Sequence, residues 1–133
     1  MAKKIIFYWL PAVVWMIMIF YLSSKTRIKI SEDTLINFIV FKILHMIEYA
    51  GLCFWLFRAF SSTITKSHLP EKLFLALFFT ILYAVSDEIH QTFIPTREGV
   101  IRDVTIDAIG AFFMYIYIKN NLNFLRKFLW KKS

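Results

Sequence analysis

The chain has 133 residues, 59% of them apolar and 19% charged, with a net charge of +7. That apolar share stands well above the ~45–50% of a soluble domain, so a soluble core of this size cannot hide it and lipid is the expected solvent. The cations fall between apolar runs and at the chain ends, as membrane topology and anionic headgroups require, which argues against nucleic acid as a partner.

Three glycines and three prolines punctuate the chain, so long helices are expected rather than a turn-rich β fold. No internal repeat or low-complexity segment is visible, and residues 1–133 read as one all-α membrane domain. Cys53, the only cysteine, lies in an apolar run as a small hydrophobe and can form no intramolecular disulfide.

The first predicted helix spans about 5–22, an apolar run long enough to cross a bilayer. It reads as a retained helix rather than a signal peptide. Trp9 and Trp15 are heavy for a signal core, and Tyr21-Leu22-Ser23-Ser24 is too bulky for a cleavage site. Pro11 falls early, where its effect is modest. After a polar stretch with Lys25, Arg27 and Lys29, Ser31 is the expected cap of a second helix over about 33–59. Glu32 and Asp33 would sit in its first turn, where the dipole favours acids.

Arg58 to Lys72 reads as a second polar connection. A third helix is predicted over about 72–94, stopped by Pro95, which disfavours helix in the residue before it. A short charged loop with Gly99 leads to a fourth helix over about 103–119. Asn120, Asn121 and Asn123 then break the pattern, and residues 120–133 read as a basic amphipathic tail on the headgroups. Ten Lys and Arg fall on the N-terminus, second loop and tail, against five in the first and third loops, so both ends are expected in the cytoplasm.

The organising stretch is Ser86-Asp87-Glu88-Ile89-His90-Gln91, which follows an apolar run broken by Thr80 alone. Charged groups at membrane depth cost roughly 2.5–3.5 kcal/mol each on insertion scales and are usually tied to function or a partner. With this topology Lys42, His45 and Glu48 on the second helix, Asp87 to Gln91 on the third, and Asp103 and Asp107 on the fourth fall at one outer level. At about 100° per residue, Lys42, His45, Glu48 and Tyr49 share one arc. Tyr83, Asp87, His90 and Gln91 share a second, with Glu88 just outside it. Asp103, Asp107 and Gly110 line a third, where Gly110 would let a neighbouring helix come close. The expectation is an outward-facing polar pocket built from helices two to four.

Five acids (Glu48, Asp87, Glu88, Asp103, Asp107) stand against three nearby bases, Lys42, Arg97 and Arg102. Protonated acids, a charged histidine, or a cation or basic ligand would complete the balance. His45, Glu48, Asp87, Glu88 and His90 are the candidates for acid–base chemistry. Lys42, Tyr49, Gln91, Arg97, Arg102, Asp103 and Asp107 are the candidates for ligand binding, with Arg97 and Arg102 suited to phosphate or carboxylate. No compact metal-binding run occurs, so no metal is assigned, and the residues name no cofactor.

Lys42-x-x-His45-x-x-Glu48-Tyr49, Ser86 to Gln91, Pro95-x-Arg97 and Arg102-Asp103-Val104 leading through Asp107 to Gly110 together resemble the VanZ-like family of bacterial membrane proteins. Pro11, Trp15 and Ser23-Ser24 look like the family's start, and Thr96 stands where the family often has glycine. The resemblance implies a multi-pass protein of the bacterial cell membrane and a relative of the teicoplanin-resistance protein. Two functional readings are carried forward. In the first the pocket binds an amphiphile at the outer leaflet: a lipid headgroup, a lipid-linked wall precursor or a lipoglycopeptide. In the second the same residues act as an enzyme on a lipid-linked substrate.

Overall fold

The computed structural model describes residues 2–25, 30–64, 68–95, 97 and 99–129. Arg27, Lys29, Lys66, Trp130, Lys131 and Lys132, which enter the charge count and the tail reading, and Thr96, named in the family resemblance, lie outside them. Four helices make up the described chain: α1 (Ala2–Ser23), α2 (Thr34–Thr63), α3 (Leu69–Gln91) and α4 (Ile101–Leu129). α2 packs against all three others, most extensively against α4, while α1 and α3 touch only lightly.

Three helices, α1 to α3, carry stretches long and apolar enough to cross a membrane. Only 17–22% of the residues in those stretches are buried inside the protein, so their remaining apolar surface faces outward, as a bilayer requires. α4 falls outside that set, because Asp107, Lys119, Asn120 and Asn121 dilute its apolar run.

Small residues allow close packing where lipid supplies no hydrophobic drive between helices. Ala12, Ala76, Ala84 and Ala111 are fully buried between elements. Gly110 meets the backbone of Met46 on α2. An added Cβ there would lie 2.8 Å from the Met46 Cα, so the close approach expected of this glycine is real. Gly51 leaves room for the Trp15 ring, whose indole N–H donates to the Glu48 carbonyl at 2.8 Å.

Several boundaries differ from expectation. Asp33, not Ser31, caps α2: its carboxylate accepts from Leu35 N at 2.8 Å and Ile36 N at 3.4 Å. Ser31 instead accepts from Asp33 N at 3.2 Å. α3 begins three residues earlier, with Pro70 in its first turn, and ends at Gln91 in a turn. Arg58 is not in a loop. It lies inside α2, 8% exposed, with its guanidinium over the rings of Phe7, Tyr8 and Trp55. The asparagines bend α4 rather than end it. Asn121 alone leaves helical geometry (φ −116°, ψ 19°), and the helix resumes with Leu125 buried on the core and Arg126 and Lys127 exposed.

Candidate functional site

The polar residues of the sequence converge at one end of the bundle. This end holds the close of α1, the first half of α2, the last turns of α3 and the first turns of α4. Parallel packing of α2 on α4 sets the register. Lys42 forms an ion pair with Asp103, and one turn deeper His45 Nδ1 lies 3.5 Å from Asp107 Oδ1. His45 Nδ1 also lies 3.9 Å from Glu48 Oε2 on its own helix, so two carboxylates face the same ring nitrogen.

α3 adds a second layer. Asp87 Oδ2 accepts from the Tyr49 hydroxyl at 3.2 Å and from Gln91 Nε2 at 2.9 Å. Gln91 Oε1 in turn accepts from Arg97 Nη1 at 3.3 Å. Arg97 Nε donates to the Lys25 carbonyl at 2.8 Å and Nη2 to the Leu22 carbonyl at 3.2 Å, which straps the end of α1 to the cluster. Carbonyls at a helix C-terminus lack their usual intrahelical donors; Leu22 shares its carbonyl between Lys25 N–H at 3.2 Å and the Arg97 guanidinium. Glu88 Oε2 accepts from Val100 N at 3.0 Å and so fixes the approach to α4.

The arc expected on α3 is a fan that three neighbours share. Asp87 points at α2, and Gln91 joins it to Arg97. Glu88, expected just outside the arc, reaches the start of α4. Tyr83 and His90 turn to α1 instead. The Tyr83 hydroxyl donates to the Met16 carbonyl at 2.7 Å. His90 Nε2 lies 3.0 Å from Ser24 Oγ, and its ring stacks on Phe20 at 4.5 Å. His45 and His90 therefore serve different surroundings. Arg102 is the most exposed of the candidates, at 62%, resting over Phe38 with its Nε 3.5 Å from Asp103 Oδ1.

Four acids are nearly sealed from solvent: Asp87, Glu88, Asp103 and Asp107 are 1–5% exposed. Each keeps at least one carboxylate oxygen without a hydrogen-bond partner among the described residues, and Asp107 keeps both. Such groups are rare and call for an explanation. Among the described residues no set of three His, Cys, Asp or Glu is placed to hold a metal ion.

Beside this buried layer a cleft of about 270 Å³ opens between the end of α1, α2 and Arg97. Lys25, His45, Glu48 and Arg97 give it charges of both signs, and Leu22, Phe41 and Leu44 give it an apolar wall. The site therefore uses all four helices rather than helices two to four. α1 was missed because its residues carry no charge at membrane depth. They act through Trp15, Ser23 and main-chain carbonyls, and the only hints were the indole and the closing serine pair.

The VanZ/LLP1 family model matches residues 7–126, a span that holds every residue of this site. The chain belongs to the VanZ/LLP1 family. No curated protein and no solved structure matches it. The VanZ/LLP1 match begins at Phe7, inside α1, so the helix that closes the cleft is part of the family unit and not an appendage.

Proposed function

We propose that this VanZ/LLP1 protein is a multi-pass protein of a bacterial cell membrane that binds an amphiphile at the outer leaflet. On this reading all four helices cross, both termini are cytoplasmic, and the polar end of the bundle lies beneath the exterior headgroups. α4 crosses because α2 covers its acidic face through the Lys42–Asp103 pair and the Gly110 contact. One observation carries the proposal: the cleft joins Lys25, Glu48 and Arg97 to Leu22, Phe41 and Leu44 in one space. A headgroup needs the first set and the start of a hydrocarbon chain needs the second. Ligands of this kind include lipids, lipid-linked wall precursors and lipoglycopeptides, which is where a link to teicoplanin resistance would enter.

The test is a native mass spectrometry inventory of amphiphiles retained by the purified chain, compared with Arg97→Lys. Retention by the wild type and loss in the variant supports the reading. An identical detergent-only spectrum from both overturns it.

A second reading is favoured by the grouping of Asp107 and Glu48 about His45 Nδ1, which leaves Nε2 without a carboxylate neighbour among the described residues. In an enzyme that group would hold the base, with His45 taking a proton from a substrate in the cleft and Asp107 orienting the ring. Asp107→Asn separates the two readings. An enzyme variant keeps the bound amphiphile unchanged and loses turnover; a binding protein loses ligand and phenotype in step.

A further inference from the structure

The charges of the cleft are layered by depth. Lys25 and Arg97 stand at the C-terminal close of α1, where Lys25 is exposed and Arg97 holds the Leu22 and Lys25 carbonyls. Glu48 lies deeper: its side chain is mostly buried where Lys25 is exposed, and its main-chain carbonyl is held by the Trp15 indole. Cations thus line the mouth and a carboxylate the floor.

Behind the floor the bias toward negative charge continues. His45 lines the cleft, and Asp107 stands beyond it at 3.5 Å, 1% exposed, with neither oxygen hydrogen-bonded among the described residues. Lys42 is already paired with Asp103. A purely anionic headgroup would suit the mouth and oppose the floor. A purely cationic one would do the reverse.

We infer that the cleft takes a zwitterionic headgroup of the phosphoethanolamine type, its primary ammonium on Glu48 and its phosphate between Lys25 and Arg97. This rests on the amphiphile reading and names the headgroup class. A primary ammonium brings three N–H donors to a carboxylate floor, whereas a quaternary ammonium brings none. The volume agrees: about 270 Å³ lies just below the ~300–1,000 Å³ of small-molecule sites, so a headgroup enters and its chain stays in lipid. Leu22 and Phe41 then meet the first carbons of that chain.

The experiment uses the full chain in dodecyl maltoside, titrated with lysophosphatidylethanolamine, lysophosphatidylcholine, lysophosphatidylglycerol and soluble phosphoethanolamine, with occupancy read by native mass spectrometry. Lysophosphatidylethanolamine is expected to bind roughly tenfold tighter than the other two lysolipids, the worth of one charge-assisted hydrogen bond. Glu48→Gln should erase that preference and keep lysophosphatidylglycerol binding. Lys25→Ala, on the exposed lip, should weaken all three lysolipids by a similar factor, and it tests the mouth even if the Glu48 variant does not fold. Lysophosphatidylglycerol binding as well as or better than lysophosphatidylethanolamine overturns the headgroup class and leaves the amphiphile reading standing. Soluble phosphoethanolamine binding as tightly as its lysolipid keeps the headgroup class and overturns the amphiphile reading. No retention of any ligand above the detergent background overturns both.

Discussion

Arg58 Nη1 donates to the Phe7 carbonyl oxygen at 3.3 Å, and Phe7 lies four residues before Pro11. Proline has no N–H, so Pro11 leaves that carbonyl without its helical donor. In a membrane an unpaired carbonyl is costly, and a guanidinium from α2 supplies the missing bond while resting on Phe7 and Tyr8. Arg58→Met should therefore lower stability by about 1–3 kcal/mol. In a Pro11→Ala background, where residue 11 regains its N–H, the loss should shrink by about 1 kcal/mol. Thermal unfolding of the four proteins in detergent closes the cycle, and a coupling of zero would separate the two residues.

The Lys42–Asp103 pair joins α2 to α4 with both side chains mostly buried, 12% and 6% exposed. Removing one partner strands the other. Lys42→Met is expected to cost about 3–5 kcal/mol, and Lys42→Met with Asp103→Asn should recover a large part of it. Equal stability of the single and double variants, measured by the same unfolding assay, would show that the pair contributes no coupling.

Gly110 and Gly51 are both crowded, by different kinds of atom. The neighbour of Gly110 is the Met46 backbone; that of Gly51 is the Trp15 side chain. Backbone cannot step aside without moving α2 from α4, whereas an indole can rotate at the loss of one hydrogen bond. Gly110→Ala should thus destabilise by about 1–3 kcal/mol, more than Gly51→Ala does. The reverse order in detergent melting would contradict the close α2–α4 seam.

The two histidines give a test of the site's extent. His45 lines the cleft beside Asp107 and Glu48, while His90 meets Ser24 and Phe20 on α1. His45→Gln should reduce lysophosphatidylethanolamine occupancy about tenfold, and His90→Gln by no more than about twofold. Equal losses in the same titration would mean that both belong to one site.

Much of the architecture is written in the order of residues. Apolar runs longer than a bilayer demand helices, and Pro95 and the polar stretches bound the first three within a few positions, whereas α4 runs ten residues past its expected end. The polar cluster was legible for the same reason: charged groups on Lys42 to Glu48, Asp87 to Gln91 and Asp103 to Asp107 are costly apart in lipid and must meet. Arg58 was misread because a cation near the end of an apolar run looks like a loop residue. What holds it inside α2 is an acceptor fifty-one residues away.

Periodicity places side chains on an arc without saying which neighbour stands opposite each part of it. On α3 turns of about 100° and 60° about the helix axis separate Glu88 and His90 from Asp87, and they send His90 to α1, Asp87 to α2 and Glu88 to the start of α4. The role of α1 is carried by main-chain carbonyls, which every residue has and no sequence distinguishes. By itself, then, the sequence determined an all-helical family member with helices apolar enough to span a membrane, in which Lys42 to Glu48, Asp87 to Gln91 and Asp103 to Asp107 gather at one end because each is costly to bury alone. Only the tertiary structure decided which carboxylate each base meets, that Arg97 binds the close of α1, and that the gathering leaves a cleft, because those outcomes depend on helix rotation and register between segments distant in the chain.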